Sequence, residues 1–203
     1  MPKYLSIDTE ATGLTEECLL IQLAFVPVDT DKKTVAREHG IEWLVQCPSF
    51  EDLKPSLNPW VVENNETLIR NASAHGVPPD QLADKVHAYL TSAPIKAIFG
   101  DSRPIFLGKS LSALDIPLLT RTFGEDFMHA HFHHHTLDVT CVARSLVDAG
   151  ILPPGTESSS KIMKYFGLRE TPAHTALADA LDMAEIYLKI LGMLSKHNPS
   201  KGA

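Results

Sequence analysis

Cysteine is scarce in this chain: three in 203 residues, at positions 18, 47 and 141. So odd and widely spaced a set fits reduced thiols in a cytoplasmic protein better than a disulfide framework. No apolar run approaches the ~20 residues that a membrane-crossing helix needs. No basic stretch leads into an apolar core at the start, so neither a membrane partner nor a secreted form is expected. There is no internal repeat, no low-complexity tract and no dense run of Lys and Arg. The 18 basic side chains are outnumbered by 25 acidic ones, a net charge of −7. Proteins that cover many phosphates concentrate Lys and Arg to displace counterions, so an extended polyanion-binding groove is not expected.

What is present reads as one α/β domain, expected over 1–195, with a flexible tail at 196–203. The length is ample to bury a core. Strand-like runs fall at 3–8, 19–28 and 34–46, separated by polar turns, and predict a meander. The spacing of Leu82, Val86, Tyr89 and Leu90 predicts a helix over 80–92. A strand near 104–108 leads into a helix carrying Asp115. Further helices are predicted over 138–147, 158–166 and 172–194. The segment KAIFG at 96–100 fits either an added strand or a buried connection.

The strongest pattern is a split set of acids. Asp8 and Glu10 stand two apart in the run YLSIDTEATGL, and on a strand residues i and i+2 share a face. Both carboxylates can therefore aim at one point, near the end of a buried strand that Gly13 closes. His174 and Asp179 are five apart, a rotation of roughly 140° on a helix, so they are no i,i+4 chelating pair. With Thr171 as N-cap and Pro172 opening the helix, His174 falls in the first turn and Asp179 one turn deeper. Four carboxylates without cysteine (Asp8, Glu10, Asp115, Asp179) suit hard ions such as Mg²⁺ or Mn²⁺. An imidazole of ordinary pKa ~6.5 suits proton removal from an attacking water at neutral pH.

These motifs resemble the DEDDh family of 3′-to-5′ exonucleases, which includes proofreading exonucleases, ribonuclease T and oligoribonuclease. The similarity runs from about Tyr4 to Leu191. The first motif, usually DxETTGL, reads Asp8-Thr9-Glu10-Ala11-Thr12-Gly13-Leu14; the third, HxAxxDA, is complete at His174, Ala176, Asp179 and Ala180. Ala74-His75-Gly76-Val77 resembles the family's VHGI segment, and Thr136-Leu137-Asp138-Val139 with Ala143-Arg144 its LDT…AR stretch. The second motif departs, with Gly108-Lys109-Ser110 ahead of Asp115 where oligoribonuclease has Gly-Asn-Ser. A phosphate-binding P-loop reading of Gly108-Lys109-Ser110 fails, because position 103 is Arg rather than Gly.

The resemblance implies a ribonuclease H-like fold, a mixed five-stranded sheet flanked by helices. It implies two Mg²⁺ or Mn²⁺ ions held by Asp8, Glu10, Asp115 and Asp179, with His174 as general base. Thr9, Thr12, Gly13, Leu14, Trp60 and Lys109 become candidate substrate contacts, Leu14 as an apolar wedge against the terminal base. Trp60 has two readings, a base-stacking platform or a core residue; stacking is worth ~1–3 kcal/mol per base and is tolerant of sequence. The histidines at 129, 131, 133, 134 and 135 also have two, a mixed exposed stretch, the commoner case, or zinc ligands with alternate members on one side of a strand. By resemblance His134 and His135 stand where oligoribonuclease has the Tyr and Arg that reach a neighbouring subunit, so a homodimer is compatible. Lys161 and Lys164 by default lie on a solvated helix face. The expected activity is 3′-to-5′ trimming of single-stranded RNA or DNA ends to nucleoside 5′-monophosphates, RNA slightly favoured. A proofreading subunit of a polymerase complex and a non-catalytic nucleic-acid-binding module are the alternatives.

Overall fold

The computed structural model describes residues 2–168 and 175–196. Its first strand, β1 (Tyr4–Ala11), pairs antiparallel with β2 (Leu20–Asp29), Tyr4 opposite Val28 and Glu10 opposite Gln22, with an irregularity between Glu10 and Ala11. The expected third strand over 34–46 is instead two short ones, β3 (Thr34–Val35) and β4 (Ile41–Leu44), both pairing with β2. Between them Arg37–His39 form one 3₁₀ turn. The polar Arg-Glu-His run leaves the sheet edge there and the chain rejoins β2 after Gly40. Three helices follow, α1 (Phe50–Leu53), α2 (Pro59–Asn64) and α3 (Glu66–His75), then α4 (Pro79–Thr91) and α5 (Ala93–Phe99).

Neither expectation for KAIFG holds, because that segment is the end of α5. Ile95 and Phe99 stand four apart and are buried on one helical face. Gly100, at φ +62, then ends the helix in a conformation that L side chains rarely adopt. Beyond it come β5 (Ile105–Gly108), α6 (Asp115–Phe123), α7 (Glu125–His131), β6 (Thr136–Asp138), α8 (Val139–Asp148), α9 (Ser159–Tyr165) and α10 (Ala176–Lys196). β5 lies parallel to β1 and β6 parallel to β5, so the sheet runs β3-β2-β1-β5-β6 with β4 sharing β2's outer edge. Six strands thus occupy five positions across the sheet. Asp138, expected at the start of a helix, ends β6 and caps α8, its Oδ1 accepting from the Thr140 and Cys141 amides at 2.9 and 3.2 Å.

Both faces of the sheet are covered, which is why all ten residues of β2 are buried rather than alternating. On one face Leu5, Ile7, Leu23, Phe25 and Phe106 pack with Leu82 and Val86 of α4 and Leu118 and Leu119 of α6. On the other Tyr4, Val28 and Leu107 pack with α8, α9 and the Met183, Ala184, Tyr187 and Ile190 side of α10. Among the described residues no helix is long and apolar enough to cross a membrane. The three cysteines are separate thiols, with Cys141 exposed.

Candidate active site

The pleat of β1 sends Ser6, Asp8 and Glu10 toward α10 and Leu5, Ile7 and Ala11 toward the opposite core. Three side chains set α10 in place. The buried Ser6 hydroxyl donates to the Ala180 carbonyl at 2.7 Å. At the helix start, Gln22 Oε1 of β2 accepts from the Ala176 amide at 3.0 Å, and Glu42 Oε2 of β4 accepts from the Leu177 amide at 3.1 Å. First-turn amides have no partner within their own helix, so here the sheet supplies the acceptors. Ala176 and Ala180 pack on Ala24 and Val26; side chains this small let the helix axis approach the strands. The two alanines of the third motif thereby acquire a physical reason.

This docking brings Asp179, in the first turn of α10, over Asp8 and Glu10. One ligand oxygen from each of the three carboxylates lies within 4.8 Å of the other two. Burial pushes Asp8 well above the usual carboxylate range, and the charges of Asp115, Glu10 and Asp179 push it further. Glu10 is raised to about 7, first by burial and then by Asp179, Asp115 and Glu42. Acids crowded this closely repel unless a cation neutralises them. An all-oxygen donor set with this unbalanced charge fits a hard divalent ion.

Asp115 stands apart from that trio. It is the first residue of α6, it is buried, and its Oδ1 accepts from the Thr9 hydroxyl at 2.7 Å. Burial raises it to about 6, while bonds from the Thr9 hydroxyl and the Asp115 and Thr9 amides act the other way. Its charge nevertheless reaches Asp8. Gly108, just before Lys109, is needed where it is: a Cβ there would meet Ile7 O at 2.9 Å and Leu111 Cδ2 at 2.5 Å.

No protein-family model matches the chain, and no curated protein does. Solved structures match in fold. The cell-death related nuclease CRN-4 superposes with a TM-score of 0.67 at 17% identity, covering 95% of this chain and 64% of its own. The nuclease domain of 3′hExo, a DEDDh family member bound to rAMP, gives 0.66 at 14% over 94% and 92%. The fold is thus the expected ribonuclease H-like one, in common with these nucleases. E. coli exonuclease I in complex with a dT13 oligonucleotide gives 0.66 at 16% identity over 97% of this chain. The chain spans 64% and 42% of the CRN-4 and exonuclease I chains, less than two thirds of either.

Around this carboxylate cradle the remaining candidates divide. His174, with Thr171 and Pro172, lies outside the described residues. Lys109 is exposed and lines a cavity of about 130 Å³ with Asp8, Asp179, Asp182, Ser159 and Met163. Its ammonium group opposes the rise of Asp8. Thr9 and Thr12 are buried with their hydroxyls turned inward, Thr9 to Asp115 and Thr12 accepting from the Leu19 amide at 2.9 Å. Gly13, which follows them, is half-buried. Leu14 is 85% and Trp60 57% exposed, so Trp60 is no core residue. Asn58 Oδ1 accepts from the Trp60 amide at 2.9 Å, fixing the start of α2 on which the indole stands. Sequence reasoning overlooked four residues here. Ser6, Gln22 and Glu42 act across non-local strands and leave no local signature. Asp182 follows Asp179 by three positions, a spacing that places both on one helical face.

Proposed function

We propose that this chain is a divalent-metal-dependent 3′-to-5′ exonuclease that trims single-stranded RNA or DNA ends to nucleoside 5′-monophosphates, RNA slightly favoured. The observation that carries the reading is the convergence of Asp8, Glu10 and Asp179 within 4.8 Å, from a strand and a helix 169 residues apart in sequence at Glu10 and Asp179 (179 − 10). The fold shared with nucleases solved with dT13 and rAMP supports it.

Two Mg²⁺ or Mn²⁺ ions, held by Asp8, Glu10 and Asp179 with Asp115 behind them, would orient and activate water and offset charge on the departing 3′-oxygen. The protein's own groups do the rest. Thr9 holds the Asp115 carboxylate, so that acid enters the site already oriented. Lys109, exposed beside Asp8, offers an ammonium group to a non-bridging phosphate oxygen. Leu14 and Trp60 present apolar surface to unpaired bases, for which aromatic stacking is indifferent to sequence. His174, five residues before Asp179, takes the proton from the attacking water and can return it to the leaving oxygen.

End-labelled RNA, single-stranded DNA and dinucleotides, each incubated with Mg²⁺, Mn²⁺ or EDTA, test the proposal. The expected products are 5′-monophosphates released one at a time from the 3′ end, RNA slightly faster, with no release in EDTA. Undiminished turnover by Asp179→Asn at saturating Mg²⁺ would refute the assignment of the acids.

A further inference from the structure

The five histidines of 129–135 belong to no part of the activity proposed above, and the structure gives them a different geometry from alternate positions on a strand. His129 and His131 are on α7; His133, His134 and His135 occupy the bend between α7 and β6. Because the chain bends rather than extends, consecutive rather than alternate members come together. The ring centroids lie 4.4 Å apart for His133 and His134, 4.7 Å for His133 and His135, and 4.2 Å for His134 and His135. One ligand nitrogen from each falls within 4.8 Å of the other two.

The bend is held by its own main chain. The His133 amide donates to Pro104 O at 2.9 Å, and the His135 amide donates to His133 Nδ1 at 3.0 Å. The nearby Arg103 guanidinium is directed to the His129 carbonyl. His134 and His135 are exposed and His133 half-buried, so an ion could reach them from solvent with little desolvation of the protein. The His133 lone pair that accepts from the His135 amide is the one an ion would take, in exchange for that hydrogen bond.

We infer that His133, His134 and His135 form a second metal site, for a borderline divalent ion such as Zn²⁺, with three imidazole ligands and the remaining position open to solvent. Imidazole favours Zn²⁺, Ni²⁺ and Cu²⁺, whereas carboxylate oxygens favour Mg²⁺ and Mn²⁺. The chain therefore sorts two classes of ion between two places. Three imidazoles with an open position are an established ligand count for Zn²⁺. Binding would clasp the connection into β6, the last strand of the sheet and only three residues long. An ion that binds only the folded form raises the melting temperature by mass action.

The test titrates Zn²⁺ calorimetrically into the double variant Asp8→Asn, Asp179→Asn in excess Mg²⁺, so that the carboxylate cradle contributes no Zn²⁺ heat. This keeps the outcome separate from that of the proposed nuclease activity. One equivalent should bind, with the melting temperature rising by several degrees. Adding His134→Ala or His135→Ala, both at exposed positions, should weaken binding more than tenfold and abolish the rise, while circular dichroism stays unchanged. Proton–nitrogen spectra of the imidazoles should show all three rings shifting on Zn²⁺ addition in the parent. Absence of a one-equivalent transition in the parent, or equal affinity in the His134→Ala and His135→Ala forms, overturns the inference.

Discussion

Replacing Glu10 by Gln should make the metal-free protein more stable at pH 8, although it removes a carboxylate of the proposed metal cradle. Glu10 ionises at about 7 in the fold against an ordinary 4.5. Between those values the folded state binds more protons than the unfolded chain, so stability falls as pH rises through that window and levels off above it. At 1.36 kcal/mol per pH unit, the rise from 4.5 to about 7 corresponds to roughly 3 kcal/mol held against the fold at pH 8. Gln keeps the shape and cannot ionise. For a chain of this size 1 kcal/mol moves the melting temperature by roughly 2–4 °C, so the variant should melt roughly 6–12 °C higher in EDTA at pH 8. The gap should close at pH 4.5, where wild type is itself protonated. Mg²⁺ reverses the order of benefit: at a hundredfold excess over its dissociation constant an ion stabilises by ~2.7 kcal/mol, and wild type should gain more of this than the variant. Thermal melts in EDTA and Mg²⁺ from pH 4.5 to 8 decide it. A wild-type melting temperature that is flat or rising with pH in EDTA, or a variant no more stable than wild type at pH 8, would show that burial and the neighbouring acids do not raise Glu10.

Three further outcomes are expected. His174→Ala should lower turnover by roughly 10²–10⁴ at neutral pH with Mn²⁺ affinity little changed; calorimetric loss of an ion would make His174 a ligand instead. Gly76→Ala should destabilise by about 3 kcal/mol or more in denaturant melts, because a Cβ there would overlap the Ala72 carbonyl and the Gln46 amide, neither of which is a movable side-chain end. Binding of Asp179→Asn to RNA and DNA ladders should stop strengthening after a few nucleotides, with a shallow salt slope reflecting about two or three phosphates; affinity still climbing past about eight nucleotides would require an extended basic groove.

How much of this was legible in the sequence depends on whether each feature has a local cause. The period-two placement of Asp8 and Glu10 is local and reads directly off β1. The helix over 80–92 and the strand at 104–108 likewise follow from apolar spacing. KAIFG was ambiguous because a short apolar run fits strand and buried helix alike; the i,i+4 relation of Ile95 and Phe99 is a helical signal, and Pro94 marks where that helix opens. β6 escaped notice at three residues, and α1 to α3 were unread because each is short and set by local caps such as Asn58. The anchoring of α10 was out of reach for a different reason. Gln22, Glu42 and Ser6 meet it from strands more than 130 residues away in sequence (176 − 22 = 154, 177 − 42 = 135, 180 − 6 = 174). Nothing in the neighbourhood of Asp179 announces that the sheet caps the helix.

The charge balance connects the site to the whole chain. A net charge of −7 appears unsuited to a polyanion, yet part of it is concentrated where Asp8, Glu10 and Asp179 converge. Without an ion that cradle repels phosphate, and Lys109 alone offers too little positive charge to reverse the sign of three carboxylates with Asp115 behind them. Under the proposed activity divalent ions would invert that sign, so attraction for a phosphodiester would arise at the cradle once it is loaded. The absence of any dense Lys and Arg run would act in the same direction, since it gives the rest of a nucleic acid little to settle on. The apolar faces of Leu14 and Trp60 add contact without adding charge. A terminus, which presents one phosphodiester beside unstacked bases, is the part of a strand that the proposed site would hold.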